Sequence, residues 1–516
     1  MPLSLIPSGD GRLRPALGRL IQGGFRTALS FLTFESQAMK HVILGAGPAG
    51  VIAAETLRKH APQDEIVIIG DEPEAPYSRM AIPYLLMGKV GEEGTHLRHG
   101  ADHFAKLRIE VMRGRRAKSV EALNRCVLLD DVQSLPFDKL LIATGSSPAS
   151  PPIPGIHGLG VHPCWTLKDA RAIMALAQPG ARVLQMGAGF IGCIIMEALA
   201  MRGVKLSVVE MGDRMVPRMM GPTAGGMIKG WCEKKGVTVY TGARVEASDR
   251  PAPAPSATPA PAPLAAPRAP EPGLLHRLAQ AVGLAAAPAP PPPPPPAPIP
   301  VAAATAPTAP MSVHLSTGQC LDADLVISAT GVKPNIGFLE NSGILCLVGV
   351  LTDEHLQTNV PGIYAAGDCA EAFDKISGTT IVSAIQPNAA EQARVAALNM
   401  VGQACELKGV TQINVLDTLG MISASFGQWD GVPGGEQVEL VDRAAGKLLS
   451  LQFSGDRLVG CNSVGWTEHV GVMRGLVEGQ VRLSGDWKQR LMADPTLLME
   501  AYLANAQAQQ TMAHVR

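Results

Sequence analysis

The feature that most constrains this chain is a strand, a glycine-rich turn and a helix, a pattern that occurs twice. The first copy, HVILGAGPAG over 41–50, leads into the helix-forming stretch VIAAETLRKH. In such a turn the first glycine permits a tight bend, the second lets the backbone approach a pyrophosphate, and the third brings helix and strand together. The residues predicted to bind a dinucleotide here are Gly45, Gly47, Pro48, Ala49 and Gly50.

The second copy is RVLQMGAGFIG over 182–192. Its predicted binding residues are Gly187, Gly189, Phe190, Ile191 and Gly192. Two such units in one chain imply two dinucleotides, which is typical of flavoproteins that transfer hydride. The predicted fold class is therefore α/β, with two Rossmann-like domains, one for FAD and one for NAD.

Each unit carries an acidic residue where its second strand ends. The strand EIVIIG is followed by Asp71 and Glu72, and the strand KLSVVE ends at Glu210. A carboxylate at that distance from the glycines accepts hydrogen bonds from a ribose. Glu210 would also repel a 2′-phosphate, so the sequence favours NADH over NADPH, although Arg214 nearby would weaken that preference.

Composition argues against several classes of protein. The chain has 516 residues, a formal net charge of −1 and 4% aromatic residues, so no nucleic-acid surface is expected. Nine scattered cysteines form no C-x-x-C pair, which favours a reducing compartment over a disulfide scaffold, a zinc site or an iron–sulfur centre. No apolar run reaches the roughly eighteen residues of a membrane span. We expect no metal site and a cytoplasmic location.

Two segments are expected to lie outside the folded domains. Residues 1–38 are interpreted as a disordered leader or an over-long start before Met39, with a targeting peptide as the alternative. Residues 251–310 hold 21 of the 43 prolines, a composition that forms neither helix nor sheet. We interpret this segment as a disordered surface insertion.

The insertion has a second interpretation, as a docking or membrane-surface element. One stretch inside it, EPGLLHRLAQAVGLAAA, could form a short amphipathic helix with Leu274, Leu278 and Val282 on one face. The flanks, VTVYTGARVEAS and MSVHLSTGQCLDADLVISATG, alternate apolar and polar residues. They are predicted to be strands of one antiparallel pair, with the insertion in place of the hairpin turn.

Five motifs together resemble those of the pyridine nucleotide–disulfide oxidoreductase superfamily, over nearly all of 39–505 outside the insertion. They are GAGPAG at 45–50, FDKLLIATGSSP at 137–148, GAGFIG at 187–192, ISATGVKPN at 327–335 and GIYAAGDCAE at 362–371. The resemblance implies that the first and the last two motifs frame FAD and that GAGFIG binds the nicotinamide nucleotide.

The same resemblance implies further contacts. With FAD they are Ala117, Ala143, Thr144, Gly145, Gly367 and Asp368, and with NAD the further contact is Gly331. Asp368 would bind the ribityl or phosphate side of FAD. The helix in IQPNAAEQARVAALNM would direct its N-terminus at the flavin pyrimidine, where the helix dipole stabilises negative charge.

The segment DEPEAPYSRMAIPYLLMGK, residues 71–89, lies where many relatives carry a cysteine beside the flavin. This chain keeps the pair Pro83-Tyr84 and has Met80 at the cysteine position. A thioether cannot form a thiolate or a mixed disulfide. The C-x-x-x-x-C dithiol of lipoamide-type relatives is absent too, and Ile194 stands where many relatives have an acid. The sequence therefore predicts no disulfide chemistry.

The nearest resemblance is to rubredoxin and ferredoxin reductases and to the flavin half of assimilatory nitrite reductase. They show a Tyr-x-Arg segment comparable to Tyr77-Ser78-Arg79. Arg79 is the candidate catalytic residue and an implied FAD contact, expected to tune the flavin potential or to contact an acceptor. The alternative is an arginine that satisfies an FAD phosphate or a surface carboxylate.

The C-terminal part contains the strand-like segments MISASFGQWDG, QVELVD, KLLSLQF and RLVGCNSVG, followed by two helical segments, TEHVGVMRGLVEGQV and WKQRLMADPTLLMEAYLANAQ. This order resembles the family's interface domain, so a homodimer is predicted. Trp466, His469 and Trp487 are interpreted as packing or interface residues. The predicted domains are a leader at 1–38, an FAD domain in two parts at 39–158 and 331–402, an NAD domain at 159–330 and the C-terminal α+β interface domain at 403–516.

The predicted function is that of an FAD-dependent NAD(P)H oxidoreductase, with NADH favoured. It passes electrons to a separate acceptor, a small redox protein such as a rubredoxin or ferredoxin. One alternative is an NADH oxidase or quinone reductase, which needs only an open path to the flavin. A non-enzymatic alternative is a redox-sensing flavoprotein that uses the proline-rich insertion as an interaction arm.

Overall fold

The computed structural model describes residues 38–100, 102–250, 309–410 and 412–513. The predicted leader before residue 38, nearly all of the proline-rich insertion and the short helix predicted inside it lie outside the described residues. Within those ranges, no helix is both long and apolar enough to cross a membrane.

The first glycine-rich turn belongs to a parallel sheet. This part of the chain comprises β1 (Lys40–Leu44), α1 (Pro48–His60), β2 (Glu65–Gly70), α2 (Ile82–Leu86), α3 (His103–Lys106), β3 (Ile109–Arg113), β4 (Ala117–Glu121), β5 (Cys126–Leu129), β6 (Ser134–Pro136), β7 (Lys139–Ile142) and β8 (Ser146–Pro148). Strands β7, β1, β2 and β3 are neighbours in that order and run parallel. The sequences of β1 and β2 are runs of branched apolar residues because both faces of the sheet are buried.

The second glycine-rich turn belongs to another parallel sheet of the same design. Its elements are β9 (Val161–His162), α4 (Leu167–Leu176), β10 (Arg182–Met186), α5 (Phe190–Met201), β11 (Lys205–Glu210), α6 (Pro222–Lys234), β12 (Thr238–Thr241), β13 (Val245–Asp249), β14 (Met311–Leu315), β15 (Cys320–Ala323) and β16 (Leu325–Ser328). The order β12-β11-β10-β16-β9 places the strand before the glycines at the centre of the sheet. The two predicted strand–turn–helix units are confirmed.

The predicted antiparallel pair that flanks the insertion is confirmed. Strand β13 pairs with β14, and Asp249 lies opposite Ser312. One detail of the prediction was wrong, because the beginning of the first flank, VTVYT, forms β12 in the parallel sheet and only the later part joins the hairpin. Its apolar and polar alternation is the same in both settings, so the pattern alone does not separate them.

The chain then returns to the first sheet. The next elements are β17 (Val332–Pro334), β18 (Val350–Leu351), β19 (Ile363–Ala365), β20 (Ala370–Phe373), β21 (Thr380–Val382) and α7 (Gln386–Met400). Strand β19 pairs with β7 and completes the order β19-β7-β1-β2-β3. Helices α1 and α7 pack against each other through buried alanines, among them Ala53 and Ala393, whose small side chains let the helices come close. The domain boundaries themselves stay predictions.

The C-terminal part is an antiparallel sheet with helices. It comprises β22 (Ile413–Thr418), β23 (Met421–Gly427), β24 (Glu436–Asp442), β25 (Lys447–Ser454), β26 (Arg457–Val464), α8 (Val470–Glu478), α9 (Trp487–Ala493) and α10 (Leu498–Ala513). The predicted order of strands and then helices is confirmed, but strand β22 was missed. The second predicted helical segment is two helices, because Pro495 disfavours helix at Asp494, whose carboxylate accepts from the Thr496 N–H. The pairing of two chains stays a prediction.

Candidate active site

The three glycines of the first turn have different surroundings and different roles. Gly45 has a φ of +120°, and a Cβ on it would lie 2.0 Å from the carbonyl oxygen of Ala143. A Cβ on Gly50 would lie 1.9 Å from the carbonyl oxygen of Gly45. A Cβ on Gly47 would meet no protein atom within 4 Å. Positions 45 and 50 thus need glycine for the protein's own packing, whereas position 47 leaves open space.

That open space lies at the beginning of α1. Gly47 is the residue before the helix, Pro48 is in its first turn, and no acidic side chain lies there. The N–H groups of the first turn have no partner inside the helix, and the helix dipole favours an anion at this end. The cradle therefore fits a pyrophosphate.

The three glycines of the second turn have the same roles. Gly187 has a φ of +94°, and a Cβ on it would lie 2.4 Å from the carbonyl oxygen of Ala329. A Cβ on Gly192 would lie 2.6 Å from the carbonyl oxygen of Gly187, whereas one on Gly189 would meet nothing within 4 Å. Helix α5 begins at Phe190, next to this space. A second dinucleotide phosphate fits here for the same reason.

Glu210 lies beside the second turn, as its place at the end of β11 predicts. One carboxylate oxygen accepts from the N–H of Ala188 at 2.7 Å and the other accepts from the N–H of Gly212 at 2.8 Å. The residue is only 9% exposed. Arg214 uses its guanidinium on Asp213 and on the carbonyl oxygen of Met220. The local charge that a ribose would meet is therefore the fixed carboxylate.

The two acids after β2 have different surroundings. Asp71 forms an exposed ion pair with Arg116 at 2.7 Å, one residue before Ala117 opens β4. Glu72 accepts from the Tyr77 hydroxyl at 2.6 Å and from Arg79 at 2.7 Å. The ion pair thus brings Asp71 near Ala117. Glu72 instead binds Tyr77 and Arg79.

Asp368 lies just beyond β19, after Gly367, whose φ is +81°. The Ser146 hydroxyl donates to Asp368 Oδ2 at 3.0 Å. Burial raises the pKa of Asp368, and the Ser146 hydrogen bond and the positive charge of Arg79 oppose that rise. Gln392 on α7 accepts from the Gly367 N–H at 2.7 Å and fixes the turn. A carboxylate held in this way can accept hydrogen bonds from the hydroxyls of a ligand.

The stretch from Ala143 to Gly145 joins distant parts of the chain. The Thr144 hydroxyl donates to the carbonyl oxygen of Asn335 at 2.8 Å, and the Asn335 amide donates back to the carbonyl oxygen of Thr144 at 3.0 Å. Gly145 has a φ of +66°. In this stretch the chain passes from the first sheet towards the second. It lies next to Asp368, because the following residue, Ser146, donates to the Asp368 carboxylate.

Arg79 is the centre of a cluster of polar and aromatic groups. The carbon of its guanidinium lies 5.6 Å from the centroid of the Tyr77 ring and 5.4 Å from the centroid of the Trp165 ring. The guanidinium donates to the Tyr77 hydroxyl at 3.0 Å, to the carbonyl oxygen of Trp165 at 2.8 Å and to Glu72. The alternative interpretation of Arg79 is an arginine that satisfies an FAD phosphate or a carboxylate, and the contact with the Glu72 carboxylate agrees with it. The charge of Arg79 also reaches Asp368.

A small pocket lies at the beginning of α5, next to the paired strands β8 and β17 through which the chain passes between the two sheets; we call this region, together with the beginning of α4, the crease. The pocket is lined by Ile191 at the beginning of α5, by Gly331 and by Cys164 and Trp165. The structure thus brings together Ile191 and Gly331, both predicted as NAD contacts. Which ligand atoms they contact stays a prediction.

The buried thiols are poorly placed for chemistry. All nine cysteines are free; Cys193, Cys232, Cys369 and Cys461 are buried, and burial raises the pKa of each. Burial raises the pKa of Cys164, in the crease, to about 12. Cys320 on β15 is exposed, and Met80 is 49% exposed. In the described ranges, no group of three or more His, Cys, Asp or Glu could hold a metal ion.

Sequence reasoning missed four residues of this region: Ser146, Trp165, Gln392 and the hydroxyl of Tyr77. Trp165 precedes a capping box in which Thr166 and Asp169 begin α4, and that signal is readable in the sequence. Its contact with Arg79 spans 86 residues and has no local signal. The C-terminal aromatics lie elsewhere: Trp466 contacts Lys447, and Trp487 packs in the C-terminal core.

Comparisons with known proteins fit this geometry. Residues 39–255 and 301–397 match the family model described as pyridine nucleotide-disulphide oxidoreductase. A subunit epsilon of an NADH-dependent phenylglyoxylate dehydrogenase from Aromatoleum evansii is 28% identical over 459 residues, which cover 88% of this chain and 95% of that protein.

Two further relatives have different activities in their names. An NADH oxidase from Methanocaldococcus jannaschii is 29% identical over 374 residues, 70% of each chain. A rhodocoxin reductase from Rhodococcus erythropolis is 26% identical over 373 residues, 72% of this chain and 74% of that protein. Among solved structures, a covalent putidaredoxin reductase–putidaredoxin complex aligns with a TM-score of 0.72 at 21% identity, over 90% of this chain and 98% of that one.

Proposed function

The chain belongs to the pyridine nucleotide-disulphide oxidoreductase family, and we propose that it carries electrons from NADH through FAD to a small redox protein. Membership makes it an oxidoreductase that uses FAD and a nicotinamide nucleotide. The observation that supports the proposal most is the pair of glycine turns, each with one glycine whose Cβ would meet only open space. Two dinucleotides fit there, and when bound they would supply hydride transfer from the nicotinamide to the flavin.

We propose distinct tasks for the residues of the site. The first turn and Asp368 hold FAD, the second turn and Glu210 hold NADH, and Arg79 keeps a positive charge beside Asp368. When bound, FAD supplies the conversion of a two-electron donor into single electrons. In the overall reaction, one NADH and two oxidised one-electron carriers give NAD⁺, one proton and two reduced carriers.

The surroundings of Arg79 support a separate acceptor over a thiol. Met80 occupies the cysteine position, and burial raises the pKa of the buried thiols Cys193 and Cys369, which disfavours their thiolates. Met80 and Tyr84 are 49% and 52% exposed, so the segment next to Arg79 offers an apolar surface to a partner. The rhodocoxin reductase among the relatives agrees with a protein carrier.

One relative favours a second candidate. The subunit epsilon from Aromatoleum evansii aligns over 95% of its length and is named as part of a larger dehydrogenase. In that case the electron partner is another subunit of one enzyme instead of a free carrier. Purification of the chain from its own cells distinguishes the two, because a subunit copurifies with fixed partners.

The test of the proposed function is anaerobic absorbance of the flavin after addition of NADH or NADPH. We expect NADH to bleach the oxidised band, and we expect slow recovery when air is admitted and fast recovery with a rubredoxin or ferredoxin. Fast recovery in air would replace the carrier proposal with an NADH oxidase. No bleaching with either nucleotide would refute hydride transfer altogether.

Glu210 provides a prediction about the nucleotide. The substitution Glu210→Gln removes a fixed negative charge and keeps one acceptor for the N–H groups of Ala188 and Gly212. We expect the ratio of kcat/KM for NADPH to that for NADH to rise about tenfold, which corresponds to about 1.4 kcal/mol. Steady-state rates with both nucleotides measure it. Glu233→Gln, an exposed acid on α6, is the control, and an unchanged ratio in Glu210→Gln contradicts the assignment.

The hairpin provides a prediction about the insertion. We replace residues 251–310 with Asn-Gly, because Asp249 faces Ser312 and a two-residue turn closes that register. The rate at which NADH bleaches the flavin should stay within about twofold of the rate in the full chain, since the entropy of loop closure changes only slowly with loop length. A lost NADH reaction would contradict this expectation. Intact bleaching with loss of a bound partner would favour the redox-sensing alternative.

A further inference from the structure

The crease between the two parallel sheets is held by the beginning of α4. The Leu167 N–H donates to the Tyr77 hydroxyl at 3.3 Å, and Arg79 donates to the carbonyl oxygen of Trp165 at 2.8 Å. Tyr77 and Arg79 belong to the segment after β2, whereas α4 precedes the second glycine turn. These bonds therefore fix the part of the chain that carries one turn against the part that carries the other.

The side chain of Trp165 adds further contacts. Its indole N–H donates to the carbonyl oxygen of Ser146 at 3.0 Å, and the Ser146 hydroxyl donates to Asp368. Its ring lies against the Arg79 guanidinium. It also lines the crease pocket together with Ile191 and Gly331. One side chain thus connects the surroundings of Asp368 with a pocket that the beginning of α5 also lines.

A second contact across the crease lies one turn further along α4. Arg171 forms ion pairs with Glu74 at 2.8 Å and with Glu92 at 2.7 Å. The Arg171 side chain is 44% exposed, so water and salt screen these pairs and their contribution is small. Trp165 is the stiffer connection, because it combines a hydrogen bond, a cation–π contact and a place in the pocket wall.

We propose that Trp165 is a positioning residue, which sets the separation and angle of the two nucleotide sites for hydride transfer. The inference rests on the proposed function, because it concerns the transfer between those sites. Hydride passes only between atoms held about 3–3.5 Å apart, and a misplacement of about 1 Å lowers the rate about 100-fold. A rigid contact at the crease is therefore a direct determinant of the rate of flavin reduction.

The test separates the two half-reactions in the full-length holoprotein. Stopped-flow absorbance without air follows reduction by NADH, and a second mixing follows oxidation of the dithionite-reduced flavin by two equivalents of ferricyanide. We expect Trp165→Ala to lower the limiting reduction rate about 10- to 100-fold. The ferricyanide rate should stay within about threefold of the wild type, since oxidation of the reduced flavin by a small oxidant does not require the two nucleotide sites to be aligned.

Two milder variants keep the test decisive if Trp165→Ala holds little flavin. Trp165→Phe keeps a ring against Arg79 but loses the N–H donated to Ser146, so its reduction rate should fall between those of the wild type and the alanine variant. Tyr77→Phe keeps its ring and loses the hydroxyl that accepts from Leu167. It should slow reduction in the same direction.

Trp231→Ala is the matched control. The Trp231 indole N–H on α6 also donates to a backbone carbonyl oxygen of another part of the chain, that of Leu419 between β22 and β23, but Trp231 is not among the residues that line the crease pocket. Its reduction rate should equal that of the wild type. Equal rates in Trp165→Ala and the wild type would overturn the proposal, and so would an equal slowing of both half-reactions. Absence of bleaching in the wild type would instead refute the proposed function.

Hydrogen exchange of the flavin-free chain gives a reading independent of activity. In Trp165→Ala, peptides that cover 77–87 and 165–176 should exchange faster, because the bonds between Arg79, Tyr77 and α4 open more often. Peptides from 421–427 on β23 should not change. Unchanged exchange at the crease would mean that Trp165 does not hold it, and would overturn the proposal.

Discussion

Gly189→Val is expected to raise the dissociation constant for NADH about 100-fold, or about 2.7 kcal/mol, without weakening the fold. The reason is that a Cβ at this position meets no protein atom within 4 Å, so the valine side chain begins in the open space beside the start of α5. The Gly189 backbone, with φ of −76° and ψ of −170°, is extended and open to any residue. The rate of flavin bleaching against NADH concentration measures the effect, and urea unfolding measures stability.

Gly226→Ala on α6 is the control for that substitution, since a Cβ there also meets nothing within 4 Å. It should leave NADH binding unchanged and stabilise the helix slightly, because alanine has a higher helix propensity than glycine. If Gly189→Val binds NADH as well as the wild type, the space beside Gly189 does not belong to the nucleotide.

Gly50→Ala is expected to lower the free energy of unfolding by more than about 3 kcal/mol. An added Cβ would lie 1.9 Å from the carbonyl oxygen of Gly45, so α1 has to move away from β1. Gly47→Ala, three residues earlier, meets no protein atom and should leave the unfolding midpoint of the flavin-free chain unchanged. Urea unfolding of both flavin-free variants gives the comparison.

Flavin content completes that comparison. Gly47→Ala should lose FAD more readily on dialysis than the wild type, although its fold is intact, because the added methyl group projects into the pyrophosphate space. Equal stability of Gly50→Ala and Gly47→Ala would contradict the division of work between the glycines.

Most of the correct predictions rest on local patterns in the sequence. The strand, glycine turn and helix of each unit lie within about twenty residues, and each glycine role follows from backbone sterics. The hairpin at the insertion follows from two alternating flanks. Glu210 was predicted from its distance to the second turn, and it lies beside that turn.

The contacts between separate parts of the chain could not be predicted in the same way. Glu72 was predicted from its place after β2 as a ribose contact, but the structure joins it to Arg79 and Tyr77. The packing of Trp165 against Arg79 depends on how α4 meets the segment after β2, and no periodicity encodes that meeting. Strand β22 was missed because INVLDT is short and half polar, and its pairing with β23 decides its structure.

The distribution of the thiols makes the protein suited to site-specific spectroscopy. Cys320 is the exposed cysteine, so a maleimide dye or a nitroxide reacts there first. It lies opposite His314 on β14, in the hairpin that the proline-rich segment interrupts. A reporter at this sulfur would therefore follow changes in the sheet formed by β13, β14 and β15, by quenching or by line broadening, with both glycine turns left unlabelled.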